Sequence, residues 1–131
     1  MSDRRSITAP DAPAAIGPYV HAIAARGLLF ASGQVPLDPR SGELVGTTAA
    51  EQARQALENL QAVVRAAGAA MTDVVRATVY LTDMGTFAEV NEVYAEYFGE
   101  DPPARAAVGV AALPKGALVE VDAIVALPDG A

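Results

Sequence analysis

The sequence predicts an α+β fold in which two helices cover one face of a mixed sheet of about six strands. Three observations carry this. Two stretches recur apolar residues at helical spacing, each opening on a capping-box pattern. Short runs rich in Val, Ile and Ala surround them in the order ββαβαββ. The sheet faces these runs would build differ: one is uniformly aliphatic, the other mixes small, apolar and charged side chains.

Taken in order, residues 1–18 are rich in Pro, Ala and Ser and read as an arm leading into the fold. Tyr19–Ala25 and Leu28–Val35 are strand patterns joined by an Arg26-Gly27 turn, the signature of a hairpin. Punctuation by Pro, Asp, Ser and Gly makes Pro36–Gly46 a loop. Thr48 and Glu51 then stand at capping-box spacing. Behind them Ala53, Ala56, Leu57, Leu60, Val63, Val64 and Ala67 form a helical stripe that Gly68 ends. Gln52, Arg54, Gln55, Glu58 and Arg65 lie opposite, as a solvated face.

Val74–Leu81 reads as a central strand, with Val75, Ala77, Val79 and Leu81 on one side. Thr86 and Glu89 repeat the capping box and open a second helix, with Phe87, Val90, Tyr94, Tyr97 and Phe98 inward and Gly99 at its end. Arg105–Val110 and Leu118–Leu127 complete the sheet around Leu113-Pro-Lys-Gly116. In the last strand Val119, Val121, Ala123, Val125 and Leu127 oppose Glu120, Asp122, Ile124 and Ala126. The mixed face, carrying Glu120 and also Arg105 by the same alternation, is expected to be covered by neighbouring subunits, with its charges gathered in a pocket.

Composition narrows the function. A chain of 131 residues is the size of one domain and buries enough surface to need no disulfide or metal staple. Cysteine is absent, which excludes thiolate nucleophiles and Cys-based metal centres. Nine basic and sixteen acidic residues give a net charge of −7, adverse to nucleic-acid binding. No apolar run is long enough to span a membrane, and Pro10, Asp11 and Pro13 interrupt any signal-peptide core after Arg4-Arg5. The expectation is a cytoplasmic protein with no metal and no cofactor.

The sole histidine, His21, has no nucleophile-elbow sequence near it and reads as a hydrogen-bonded strand residue. Arg105 and Glu120 remain as candidates. A guanidinium suits a carboxylate bidentately, and a carboxyl in a strand of Val and Ala suits proton handling or water orientation. The alternative is that the two pair with each other, or with Arg76 and Asp122.

Ile16-Gly-Pro-Tyr19, Ser32-Gly-Gln-Val-Pro36, Arg76-Ala-Thr-Val-Tyr-Leu-Thr-Asp83, Phe87-Ala-Glu-Val-Asn-Glu-Val-Tyr94, Pro103-Ala-Arg105, Val110-Ala-Ala-Leu-Pro-Lys-Gly116 and Val119-Glu-Val-Asp-Ala123 together resemble the Rid/YjgF family, and within it the RidA branch. The resemblance runs from about Ile16 to Leu127, leaving residues 1–15 as the arm of one domain over 1–131. It implies a chorismate-mutase-like fold and a homotrimer with pockets between subunits. It also implies cofactor-independent hydrolysis of enamines and imines such as 2-aminoacrylate to 2-oxoacids and ammonia.

By the same resemblance Arg105 holds the substrate carboxylate and Glu120 positions the attacking water. Tyr19, Ser32 and Asn91 supply hydroxyl and amide contacts, and the backbone around Ala107 supplies others. Each also has an ordinary structural role open to it. Two departures stand out: Val20-His21 follow Gly-Pro-Tyr where Ser-Gln is common, and Ala107 stands where a cysteine is common. A second reading is a non-catalytic trimer that binds small 2-oxoacids as a sensor or regulator. A third, ribonuclease activity attached to some members, is opposed by the charge balance.

Overall fold

The computed structural model describes residues 3–128. Six strands form one sheet: β1 (Arg5–Ile7), β2 (Ala22–Ala25), β3 (Leu28–Gln34), β4 (Val74–Leu81), β5 (Ala104–Gly109) and β6 (Val119–Ala126). Their spatial order is β1-β2-β3-β6-β4-β5. Only the β4–β5 pair is parallel, and it is the pair joined through a helix. Helices α1 (Ala49–Ala66) and α2 (Phe87–Phe98) pack together, with α1 seated on β3 and β6.

Helix α1 starts as the spacing predicts. Thr48 Oγ1 accepts from the Glu51 amide at 3.1 Å, and the Glu51 carboxylate accepts from the Thr48 amide at 3.2 Å. Its apolar stripe closes a core with Leu29, Ala77, Val79, Leu81, Val119, Val121 and Val125. The aliphatic side of β6 is therefore the helix-covered side, as the alternation predicts, while Glu120, Asp122, Ile124 and Ala126 are only partly buried.

Elsewhere the chain departs from the pattern. The arm contributes β1, whose residues pair with β2, so residues 5–7 belong to the sheet. Tyr19, Val20 and His21 precede β2 instead of starting it. In β4 the ladder slips between Val74 and Arg76. Val74 is accordingly buried (6% exposed) and Val75 is turned out (45%), the reverse of strict alternation.

Gln52 is not on a solvated face. It is buried, donating to the Gly46 carbonyl and accepting from the Leu118 amide, and so ties α1 to the loop before it and to the entry of β6. The second capping box does not form either. The Thr86 hydroxyl donates to the Asp83 carbonyl, and Glu89 accepts instead from the Ala50 amide at 3.0 Å, joining α2 to the first turn of α1.

Candidate active site

Two openings hold the candidate residues, and they lie on opposite sides of the sheet. The first, about 370 Å³, is lined by Tyr19, His21, Ser32, Gly33, Gln34 and Glu120 among others. It owes its shape to a bulge in β3. Ala31 pairs with Ala123 and Gln34 with Val121, so Ser32 and Gly33 together face the single residue Asp122. The bulge brings the backbone of Gly33 against the neighbouring carboxyl: a Cβ at Gly33 would overlap Glu120 Oε2. The glycine makes room for the Glu120 carboxyl in this position; a methyl group there would displace the carboxyl, the far end of a flexible side chain.

Ser32 is fastened to the arm side of the cavity, its hydroxyl donating to the Val20 carbonyl at 2.6 Å and its amide to the His21 carbonyl at 2.9 Å. His21 is buried and hydrogen-bonded, as its sequence context suggests. Its Nδ1 accepts from the Ala9 amide at 2.8 Å, which leaves Nε2 to carry the proton and donate to the Pro13 carbonyl at 2.8 Å. One imidazole thus pins the arm segment whose Pro13, Ala14 and Ile16 complete the cavity wall. Burial, and secondarily the charge of Asp122, push the Glu120 carboxyl above the ordinary range.

The second opening, about 460 Å³, is lined by Asn91, Tyr94, Phe98, Pro103 and Arg105. Arg105 does not share a face with Glu120. Its Cα partner in the parallel ladder is Ala77, which is fully buried under the helices, so Arg105 leaves edge strand β5 on the helix side. There the guanidinium lies 5.2 Å from the Phe87 ring centroid and 4.8 Å from that of Tyr94. One amino group donates to Asn91 Oδ1 at 2.7 Å. Arg105 makes no ion pair with Glu120, Asp122 or any other carboxylate among the described residues.

Asn91 thus fixes the Arg105 guanidinium by accepting its hydrogen bond, while Phe87 and Tyr94, legible in the sequence only as inward helix residues, form a shelf for the cation. Ala107 lies on β5 opposite Val79. Tyr19, Ser32 and Glu120 come together in one opening; Asn91 and Arg105 come together in the other. Among the described residues no group of three or more His, Cys, Asp or Glu could hold a metal ion, and no helix is long and apolar enough to cross a membrane.

The fold is thus an α+β scaffold, a sheet backed on one side by two helices, with a carboxyl-bearing cavity on one face and a cationic cavity beside its edge strand. Residues 9–127 match the Endoribonuclease L-PSP family model, and the chain belongs to that family, the Rid/YjgF proteins. It is 54% identical over 114 residues to a RutC family protein of Pyrococcus horikoshii, covering 87% of this chain and 90% of that one. It is 48% identical over 121 residues to the human 2-iminobutanoate/2-iminopropanoate deaminase, covering 92% and 88%. Among solved structures it is similar to Escherichia coli TdcF with bound serine, at TM-score 0.89 and 41% identity, covering 95% of this chain and 99% of that one. The Escherichia coli YjgF structure gives TM-score 0.88 at 42% identity, covering 93% and 98%.

Proposed function

We propose that the chain is a cytoplasmic, cofactor-independent enamine/imine deaminase that works as a homotrimer, hydrolysing 2-aminoacrylate-type intermediates to 2-oxoacids and ammonia. The observation that carries this reading is Arg105: a guanidinium at the mouth of an opening, oriented by two rings and an amide, with no carboxylate of its own. Charge-assisted hydrogen bonds to a substrate carboxylate contribute about 1.5–3 kcal/mol each. Identity of about half the chain with the deaminase-named relatives supports the choice of reaction.

In this reading an opening of one protomer meets the other opening of its neighbour. Exposed apolar residues on the face that carries Glu120, Phe30 (44%) and Val108 (40%), favour such a covering. Arg105 and backbone near Ala107 hold the carboxylate; Tyr19 and Ser32 border the reacting carbon, and Asn91 steadies the arginine. Glu120 accepts a proton from water as its oxygen bonds the iminium carbon. Glu120 returns that proton to the carbinolamine nitrogen and then takes the hydroxyl proton as the C–N bond breaks, so that ammonia leaves and the C=O of the 2-oxoacid forms. Orientation is most of what such an inherently facile reaction needs.

The test is 2-oxoacid formation from a panel of imines generated in situ by an amino-acid oxidase. Wild type accelerates it and Arg105→Ala does not; equal rates for the two would overturn the assignment. The serine-bound TdcF structure favours a second reading, a non-catalytic carboxylate-binding regulator. Glu120→Gln separates the two: a deaminase loses activity, whereas a binder has none to lose and keeps its 2-oxoacid affinity.

A further inference from the structure

The face that carries Glu120 holds a second carboxyl group that the proposed reaction leaves unused. Asp122 follows two positions along β6, so both side chains leave the strand on the same side. The Tyr80 hydroxyl donates to Asp122 Oδ2 at 2.9 Å. Tyr80 is itself the residue opposite Glu120 in the β4–β6 ladder. It fixes Asp122 as a hydrogen-bond acceptor, while Glu120 receives no hydrogen bond from the described residues.

We infer that Asp122, held by Tyr80, is a positioning residue for the proposed hydrolysis: its negative charge, kept beside Glu120, makes Glu120 a stronger proton acceptor when water is activated. The inference rests on the deaminase reading for its catalytic consequence and on geometry for the coupling. The same direction follows for the Glu120 carboxyl from burial together with Asp122. The other groups around Glu120 are few. Strand β4 presents Tyr80 and, further along, Arg76; the cavity wall presents Tyr19 and His21; β3 presents Ser32 and Gln34, which do not titrate. Lys115 follows Pro114 of the lining.

Asp122→Asn keeps an oxygen acceptor for Tyr80 and removes only the charge. The titration midpoint of Glu120 is read by carbon-13 NMR of the carboxyl in the full-length protein, its signal assigned by loss in Glu120→Gln. The pH profile of kcat/KM with an imine is measured beside it. Unit charges about 7 Å apart, at an effective dielectric of about 20 to 80, change a midpoint by about 0.4 to 1.7 pH units. The expected result is a fall of that size in Asp122→Asn, with the acidic limb of activity moving down equally.

An unmoved Glu120 midpoint in a folded variant overturns the inference whatever the activity. A lowered midpoint in a protein inert toward imines upholds the coupling and overturns the deaminase reading instead. Asp122→Ser, which also removes the charge and keeps a hydroxyl oxygen on that face, carries the test if Asp122→Asn does not fold: the midpoint falls in the same direction, and no change again overturns the inference.

Discussion

At the edge strand, Arg105 is an exposed cation steadied by neutral partners; in the middle of the sheet, Glu120 is a half-buried carboxyl pressed against a glycine and steadied by no hydrogen bond among the described residues. The first arrangement orders a charge without neutralising it, so the guanidinium stays available to an anion. The second raises the cost of a negative charge, so the carboxyl holds its proton more tightly and becomes a better base when it loses it. The two lie on opposite faces of one sheet, so a single chain does not close them into one site.

Perturbing each region should show that division. Arg105→Ala removes the proposed anion clamp, and kcat/KM should fall by about 100-fold or more if two charge-assisted bonds to substrate are lost. Arg105→Lys should recover only part of this, because an ammonium lacks the fork. Gly33→Ala places a methyl group where the Glu120 carboxyl lies and displaces that carboxyl, so kcat should fall about tenfold or more while urea unfolding changes little, read beside steady-state kinetics.

Phe87→Leu and Asn91→Ala loosen the arginine without discharging it. Each should raise KM by about three- to tenfold with little change in kcat, given the modest worth of cation–π contacts at exposed sites. Glu120→Gln gives an opposed pair of effects. The folded chain keeps the Glu120 proton to higher pH than the unfolded chain, so ionising it works against the fold. That destabilisation appears as pH rises through the ordinary carboxylate range and is complete above the raised value. The variant should therefore lose activity yet melt slightly higher than wild type at neutral pH, and melt alike in acid. At the small end, Arg54→Ala breaks an exposed bidentate pair with Glu96 joining the outer faces of the helices, and should leave the urea midpoint nearly unmoved with no change in kcat/KM.

What could be read in the sequence divides along a physical line. Local rules carried the first capping box, the apolar stripe of α1 and the alternation of β6, because each depends on residues within a few positions of one another. The exceptions depend on distant partners. Gln52 looks solvated until the Leu118 amide needs an acceptor, and Glu89 looks like a cap until Ala50 offers it a donor. Bulges defeat counting by two: one inverts Val74 and Val75, another opens the cavity beside Glu120. Alternation in the sequence puts Arg105 on the Glu120 side and the structure puts it on the helix side, because an edge strand's alternation fixes two faces without saying which lies under the helices. Only the parallel register with Ala77 settles that. The glycine of Ser32-Gly-Gln34 stood in an unbroken strand pattern, and its reason appears only in the structure, where Glu120 lies against it.

The central claim, that the two openings work together only across protomers, is tested most directly by mixing two inactive chains. Arg105→Ala retains Glu120, and Glu120→Gln retains Arg105. Refolded together at equal amounts, they should form rings in which about one quarter of the shared pockets carry both wild-type residues, and imine hydrolysis should return to about that fraction of the wild-type rate. Mixed oligomers, confirmed by native mass spectrometry, that stay as inactive as either parent would contradict the account.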